Sequence, residues 1–149
     1  MILPIYLYGS EKLRNENAEA DIQDKEGLTK LISDMWETLK AADGCGLAAP
    51  QVGVNLRVVI VDGTDLSDTY EYLHDFRRVM INPVVLEESE DVCDYSEGCL
   101  SVPGIYAEVT RPSKIKVEYY DENFEKVVEE FDRFGCRMVQ HELSHLEGN

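Results

Sequence analysis

The residues best suited to chemistry stand together near the C-terminus, in the segment His141-Glu142-Leu143-Ser144-His145. In a helix, residues four positions apart lie on one face with their Cβ atoms about 6 Å apart, so both imidazoles could bind one metal ion. Glu142 would then lie beside that ion, where a carboxylate can accept a proton from water. The spacing therefore predicts the centre of a metal-dependent hydrolase.

A third protein ligand is needed to complete such a centre. Zinc peptidases that use this type of helix mostly take the third ligand from a Glu or His further along the chain. This sequence ends at Asn149, four residues after His145, so we expect the third ligand to come from an upstream segment. One alternative stays open at this point, in which hydrogen bonds alone satisfy the two histidines.

The composition indicates one domain and argues against several kinds of partner. A chain of 149 residues, 44% of them hydrophobic, is large enough for one core, so we expect a single domain spanning residues 1–149. Thirty acidic against 14 basic residues give a net charge of −16, which repels nucleic acid and anionic membranes. No signal peptide or membrane span is recognisable, and the four cysteines have no regular spacing. We therefore expect a soluble, cytoplasmic protein with reduced thiols.

Two helices are predicted, one near each end. From Lys25 to Ala42 apolar residues recur every three to four positions, with Asp24 as the N-cap and Gly44 as the stop signal. This pattern is typical of an amphipathic helix that lies on a sheet. The second helix, over residues 132–147, carries the two histidines, and Gly135 weakens its first turn.

The segments between the helices are predicted to form strands and loops. β-branched or alternating residues predict strands at residues 57–62, 79–86, 115–120 and 124–131. Asn82-Pro83 interrupts the second strand, which indicates an edge position or a bend. Residues 64–78, and the acidic stretch before Glu97, have no regular pattern. The predicted fold class is α+β, with antiparallel-rich sheets packed around a C-terminal metal-binding helix and an N-terminal amphipathic helix.

Three motifs, in this order, resemble the three signature motifs of the peptide deformylases. They are Gly44-Cys45-Gly46-Leu47-Ala48-Ala49-Pro50-Gln51, Glu97-Gly98-Cys99-Leu100-Ser101 and Gln140-His141-Glu142-x-x-His145. The resemblance extends to residues 9–14 and 102–104, so it covers nearly the whole chain. Each motif alone is a weak signal, but the three together are highly specific.

The resemblance implies that Cys99 is the third metal ligand, beside His141 and His145, and that the other three cysteines are structural. Three protein ligands leave one coordination position for water, which is a catalytic arrangement. A thiolate with two imidazoles accepts Fe²⁺ as well as Zn²⁺. The resemblance implies one divalent ion, Fe²⁺ in the physiological enzyme, with Zn²⁺, Ni²⁺ or Co²⁺ able to take its place.

The activity implied by the resemblance is removal of the N-terminal formyl group from formyl-methionyl nascent polypeptides, with release of formate. The metal lowers the pKa of its bound water, the nucleophile, and Glu142 accepts the proton and later gives it to the leaving amine. In the family, a glutamine side chain and a leucine N–H bind the oxyanion, and these correspond to Gln51 and Leu100 in this sequence.

Five further residues are candidates for binding the peptide or supporting the site. Gly46 lets the backbone of its loop approach the peptide, which can pair with it as an added strand. Glu97 and Gly98 precede the implied ligand, and Glu97 is expected to support the metal site rather than to bind the ion. Leu47 and Met138 are candidates for the apolar pocket that a methionine side chain requires.

One position departs from the family pattern. Family members commonly have an acidic residue directly before the second histidine, where this chain has Ser144. The ligand spacing is unaltered, so we expect metal binding to survive the loss of that charge. The chain also ends without the basic extension by which family members can contact the ribosome, so we expect no ribosome docking through its C-terminus.

Two other functions remain open from the sequence. A metallopeptidase or another amidase could use the same helix, and cleavage of an unformylated peptide would support that reading. A non-catalytic metal-binding or acidic interaction protein is the second, and bound metal without turnover would support it. The presence of every group that turnover requires favours the deformylase.

Overall fold

The computed structural model describes residues 1–5, 17–99 and 102–147, and the side chains of residues 95–99 and 102–108 lie outside that description. The described residues contain two helices, α1 (Lys25–Ala42) and α2 (Arg133–Leu146). Neither of these helices has the combination of length and apolar character that a membrane span requires. Between them lie the strands β1 (Gly46–Ala48), β2 (Val58–Asp62), β3 (Arg77–Glu88), β4 (Val92–Cys99), β5 (Val102–Pro112), β6 (Lys114–Tyr120) and β7 (Lys126–Asp132).

The strands form two antiparallel sheets. Five of them make one sheet in the order β1-β2-β3-β6-β7, and β4 and β5 pair with each other as a separate hairpin. The predicted α+β class with antiparallel sheets is therefore confirmed. The hairpin of β6 and β7 lies where its sequence pattern predicted it, with Tyr120 opposite Lys126.

The five-stranded sheet is buried on both faces at β2, because successive side chains of a strand point to opposite sides. On β2, Val59 and Val61 belong to the apolar cluster that contains Val139 of α2. Val58 and Ile60 belong to the cluster that contains Met35 of α1. The sheet is thus packed against α2 on one face and against α1 on the other.

Helix α1 has the predicted bounds, and its cap explains where it begins. The Asp24 carboxylate accepts a hydrogen bond from the Gly27 N–H at 3.1 Å, which satisfies one of the first backbone donors of the helix. The helix ends at Asp43, which has a φ of 55°, and both Asp43 and Gly44 donate backbone N–H groups to carbonyls of the last turn. The left-handed residue is therefore Asp43, one position before the predicted stop at Gly44.

Strand β3 is bent but does not lie at an edge. It stands between β2 and β6, and its register shifts between Ile81 and Val84. Asn82 has a φ of 52° at this point, and its side chain accepts from the Ala20 N–H at 2.7 Å and donates to the Ala20 carbonyl at 2.9 Å. The alternative of a bend is confirmed and that of an edge strand is wrong, because the bulge absorbs the irregularity inside the sheet.

The segment predicted to be a loop, residues 64–78, is anchored on α2. It contains the 3₁₀ turns Thr64–Leu66 and Glu71–Leu73 before β3 begins, and Leu73 and Phe76 are buried in the core. A Cβ atom on Gly135 would lie 3.2 Å from the Phe76 ring. Gly135, which costs helix propensity, therefore lets this segment pack closely on the first turn of α2.

The acidic stretch before Glu97 lies on a strand that its composition does not indicate. Strand β4 pairs with β5 from Val92 opposite Pro112 to Cys99 opposite Val102, with a register shift after Gly98. Asp and Glu have low strand propensity, so the pairing partner decides this element more than the local composition does.

Candidate metal centre

The two histidines and the glutamate of the terminal motif converge on one face of α2. Ligand-capable atoms of His141, Glu142 and His145 all lie within 4.8 Å of one another. The two imidazole rings have their centroids 5.0 Å apart and are nearly perpendicular, at 85°. The geometry that the four-residue spacing predicted is therefore present, and two imidazoles at this separation are donors that Zn²⁺ and Fe²⁺ accept.

The centre is shielded from solvent to an unusual degree for charged groups. Glu142 is 4% exposed and His145 is 7% exposed, whereas His141 is half-buried. The nearer Glu142 carboxylate oxygen lies 4.0 Å from His141 Nε2. Charged groups interact more strongly in such an environment because little water screens them.

The first motif reaches the centre through Gly46. Strand β1 carries Gly46 past Glu142 so closely that a Cβ atom at position 46 would lie 2.8 Å from Cγ and 2.9 Å from Cδ of the glutamate. Real Cβ atoms do not approach neighbours to this distance. A glycine is therefore required here for the glutamate to hold its position.

Gln51 is fixed by its own loop. It lies in the 3₁₀ turn Ala49–Val52, is 1% exposed, and its side-chain oxygen accepts from the Ala48 N–H at 2.9 Å. A backbone N–H can only donate, so the amide atom that faces Ala48 is the oxygen. The NH₂ end of the Gln51 amide consequently points away from Ala48.

Two residues predicted to line a methionine pocket are buried in the core. Leu47 is fully buried in the cluster that contains α1, because alternation along β1 turns it away from the neighbouring Ala48 side. Met138 is 7% exposed in the cluster that contains α2, and a Cβ atom on Gly63 would lie 3.3 Å from its sulfur. Met138 is itself a residue of α2, the helix that carries the histidines, whereas Leu47 lies in the cluster on the α1 side of the sheet.

The implied third ligand lies at the end of β4. The backbone of Cys99 pairs with Val102, directly after the register shift that follows Gly98. The Cys99 and Glu97 side chains, and all of Leu100, lie outside the described residues. The roles of Glu97, Gly98, Cys99 and Leu100 therefore stay predictions.

Two other cysteines have environments that disfavour the thiolate form that binds metals. Burial, followed by the charges of Asp65, Asp62 and Glu142, raises the pKa of the Cys45 thiol. Cys136 is 1% exposed, and burial raises its pKa to about 12. Both environments therefore favour the protonated thiol over the thiolate.

Ser144, the departure from the family pattern, is accommodated within the helix. Its hydroxyl donates to the His141 carbonyl at 2.6 Å. This bond to the preceding turn is a common arrangement for a serine inside a helix. The substitution leaves the spacing of the two histidines unchanged.

Sequence reasoning gave no role to two residues that tie α2 to the hairpin of β4 and β5, and one of them, Gln140, stands in the third motif. Arg137 is 2% exposed, and its guanidinium donates to the carbonyls of Cys93, at 2.5 Å, and Val109. Gln140 donates its amide N–H to the Pro112 carbonyl at 2.8 Å. The signal in the sequence is an arginine among the apolar residues of the second helix, which is unusual for a buried face.

Comparisons with known proteins agree on one family. The family model described as polypeptide deformylase matches residues 2–149. The peptide deformylase of Chlorobium phaeobacteroides is 45% identical over 148 residues, which cover 99% of this chain and 77% of that protein.

Solved structures are similar over the same length. The peptide deformylase from Thermotoga maritima has a TM-score of 0.88 and 36% identity, with 99% of this chain and 93% of that one covered. The peptide deformylase from Synechococcus elongatus in complex with actinonin has a TM-score of 0.85 and 36% identity, with 98% and 74% covered. The similarity therefore includes both the sequence and the arrangement of its elements.

Proposed function

This chain belongs to the polypeptide deformylase family, whose members are metallo-hydrolases, and we propose that it removes the formyl group from the N-terminus of formyl-methionyl nascent polypeptides. The products are formate and a free methionyl amine. The observation that carries the proposal is the family match over residues 2–149 together with the convergence of His141, Glu142 and His145 within 4.8 Å.

One divalent metal ion is held by Cys99, His141 and His145. Fe²⁺ is the proposed physiological ion, and Zn²⁺, Ni²⁺ or Co²⁺ are acceptable substitutes because imidazole and thiolate ligands suit all of them. When bound, the ion supplies Lewis acidity, which lowers the pKa of water and polarises the formyl carbonyl. Within the described residues, the ligand-capable atoms that group with the two histidines include no cysteine sulfur, which supports the choice of Cys99 as the sulfur ligand.

Glu142 moves the proton. Its carboxylate accepts a proton from the attacking water and delivers it to the amine nitrogen as the formyl C–N bond breaks. Its burial, at 4% exposure, supports this role because a shielded carboxylate exchanges protons with its neighbours rather than with bulk water. The water oxygen ends in formate, and the proton ends on the methionyl amine.

Gln51 and Leu100 stabilise the negative charge that develops on the formyl oxygen. The side-chain NH₂ of Gln51 and the backbone N–H of Leu100 are the donors. The hydrogen bond from Ala48 to the Gln51 oxygen supports this assignment, because it fixes the amide and directs its NH₂ end away from Ala48. A donor fixed in advance costs no reorganisation during the reaction.

The peptide binds beside β1, which is the terminal strand of the five-stranded sheet. An extended peptide can pair with such an edge, with Gly46 and Leu47 contributing backbone groups and Glu97 and Gly98 flanking the other side. Met138 is proposed for the methionine pocket because it lies one helical turn before His141.

We assign the activity to one catalytic domain, residues 1–149, that acts in the cytoplasm on nascent chains. The net charge of −16 supports a protein that binds neither nucleic acid nor anionic membranes directly. Ribosome docking through the C-terminus of this chain is not part of the proposal.

The proposal is tested by formate release after anaerobic purification with iron. The substrates are a formyl-methionyl tripeptide and, as matched controls, the acetylated and unmodified tripeptides. We expect formate from the formylated peptide, no acetate from the acetylated peptide, no cleavage of the unmodified peptide, and loss of activity on chelation. Metal-loaded protein that releases no formate, or that cleaves the unmodified peptide, would refute the proposal.

A further inference from the structure

We infer that Arg137 is a positioning residue that locks the hairpin of β4 and β5 onto α2 and thereby sets the position of Cys99 relative to the two histidines. This inference rests on the proposed function in one respect, which is the assignment of Cys99 as a metal ligand. It assigns a role to a side chain that neither binds the metal nor contacts the peptide in that proposal.

The contacts of Arg137 join three elements. Its guanidinium donates to the Cys93 carbonyl on β4 at 2.5 Å and to the Val109 carbonyl on β5. In the hairpin Cys93 stands opposite Arg111 and Val109 stands opposite Tyr95, so the two accepting carbonyls lie on different strands, two residue pairs apart. A planar guanidinium can reach two acceptors in a fixed geometry, which holds both strands against the helix.

A second contact reinforces the first from the next turn of α2. Gln140, which directly precedes His141, donates to the Pro112 carbonyl at 2.8 Å. Pro112 lies opposite Val92, at the base of the hairpin. The hairpin is therefore attached to α2 by polar contacts from two successive helical turns.

Both tied elements lead to the proposed metal site. Strand β4 reaches Cys99 six residues after Cys93, and α2 reaches His141 four residues after Arg137. Ligand atoms must stand within a few tenths of an ångström of ideal distances for a metal site to bind well. A small rotation of the hairpin about its base would move Cys99 out of this range.

The hairpin needs such an attachment because, in the described residues, it forms a sheet of its own. Strands β4 and β5 pair with each other and not with the five-stranded sheet. A two-stranded sheet is marginally stable without support from other elements. Removing the buried guanidinium would leave carbonyl groups without that donor and would loosen the hairpin.

The test is a Co²⁺ titration followed through the thiolate-to-cobalt charge-transfer absorption, which reports sulfur coordination. The variants are Arg137→Met, Arg137→Lys and the matched control Arg133→Met. Arg133 lies one turn earlier on α2 and is exposed, and its guanidinium carbon lies 3.8 Å from the centroid of the Tyr72 ring. Cys99→Ser supplies the spectrum without sulfur.

We expect Arg137→Met to weaken Co²⁺ binding at least tenfold and to speed hydrogen exchange of amides in residues 92–99 and 102–112, with α1 unaffected. The Co²⁺ affinity of Arg137→Lys should fall between those of this variant and the unmodified protein. A lysine ammonium group keeps the charge but cannot reproduce the planar donor geometry with which the guanidinium reaches both carbonyls. Arg133→Met should match the unmodified protein. If Arg137→Met does not fold, the comparison of Arg137→Lys with Arg133→Met carries the test.

Unchanged Co²⁺ affinity and absorption in folded Arg137 variants would overturn the inference, as would an equal loss in Arg133→Met. A sulfur signal missing from the unmodified protein would also overturn it. Failure of the proposed function is a separate result: an unmodified protein without formate release, but with the sulfur signal and its loss in Arg137→Met, would support the inference alone.

Discussion

Gly46 and Glu142 are in such close contact that the site has no room for a methyl group between them. A Cβ atom at position 46 would lie 2.8 Å from Glu142 Cγ and 3.3 Å from Oε1. The sequence predicted that Gly46 lets the backbone approach a peptide; its nearest side-chain neighbour is instead the proposed general base. The glycine of the first motif therefore defines where the carboxylate of the third motif can stand.

Gly46→Ala is expected to lower kcat for the formylated peptide by about tenfold or more, because the side chain of Glu142 must move. General acid–base catalysis requires the carboxylate to stay within hydrogen-bonding distance of the proton that it transfers. Metal content should stay unchanged, since no ligand is altered. Kinetics and metal analysis measure both effects. Gly135→Ala is the matched control, because its added methyl meets Phe76. Normal kcat in Gly46→Ala would contradict the proposed coupling.

Gln51→Glu tests the NH₂ group of this side chain while keeping an acceptor for the Ala48 N–H. The new carboxylate can still accept from the Ala48 N–H, but it offers no NH₂ group to an oxyanion. We expect kcat to fall by about 10²–10³, and thermal stability to fall as well because position 51 is 1% exposed and a carboxylate there is buried. Gln51→Leu, which also removes the acceptor for the Ala48 N–H, should lose both as well. Steady-state kinetics and thermal unfolding measure these effects. A Gln51→Glu enzyme with normal turnover would rule out the side-chain donor.

Cys99→Ser is expected to reduce bound zinc well below one ion per chain, because it removes the proposed sulfur ligand. Cys45→Ser is the matched control, since the Cys45 sulfur is not among the ligand-capable atoms that group with the two histidines in the described residues. Metal analysis after dialysis gives the stoichiometry. Full zinc content in Cys99→Ser, or an equal loss in Cys45→Ser, would contradict the proposed ligands.

The stability of the fold should decline in alkaline solution through Tyr119. Its hydroxyl donates to Glu129 at 2.6 Å, and Arg78 holds the same carboxylate. Burial and this hydrogen bond raise the pKa of Tyr119 above its ordinary value of about 10. The unfolded chain therefore loses this proton first, so stability is full below about pH 10 and falls as the pH rises further, by at most about 1.4 kcal/mol per unit.

Urea denaturation at about pH 9 and about pH 11 measures this decline. Tyr119→Phe should be less stable than the unmodified protein at about pH 9, because the carboxylate loses a donor, but it should lose less stability on going to about pH 11. An equal decline in both proteins would show that Tyr119 does not contribute to it.

Local signals predicted the helices and part of the site. The apolar period and the Asp24 cap were sufficient for α1, and the spacing of His141 and His145 was sufficient for their convergence. These properties follow from interactions within three or four residues of the chain. Sequence patterns describe such interactions directly.

Features that depend on distant pairing were not predictable. Strand β3 lies inside the sheet despite Asn82-Pro83, because the Asn82 side chain is satisfied by Ala20, 62 residues earlier. The contact of Arg137 with Cys93 spans 44 residues. The burial of Leu47 follows from a three-residue strand, which is too short for alternation to be recognised.

The most direct test of the account is Glu142→Ala in the metal-loaded enzyme, assayed by formate release from a formyl-methionyl tripeptide. This change removes the proposed proton carrier and none of the three proposed ligands. We expect metal content near one ion per chain and turnover lower by on the order of 10²-fold or more. Turnover equal to that of the unmodified enzyme would contradict the role given to Glu142.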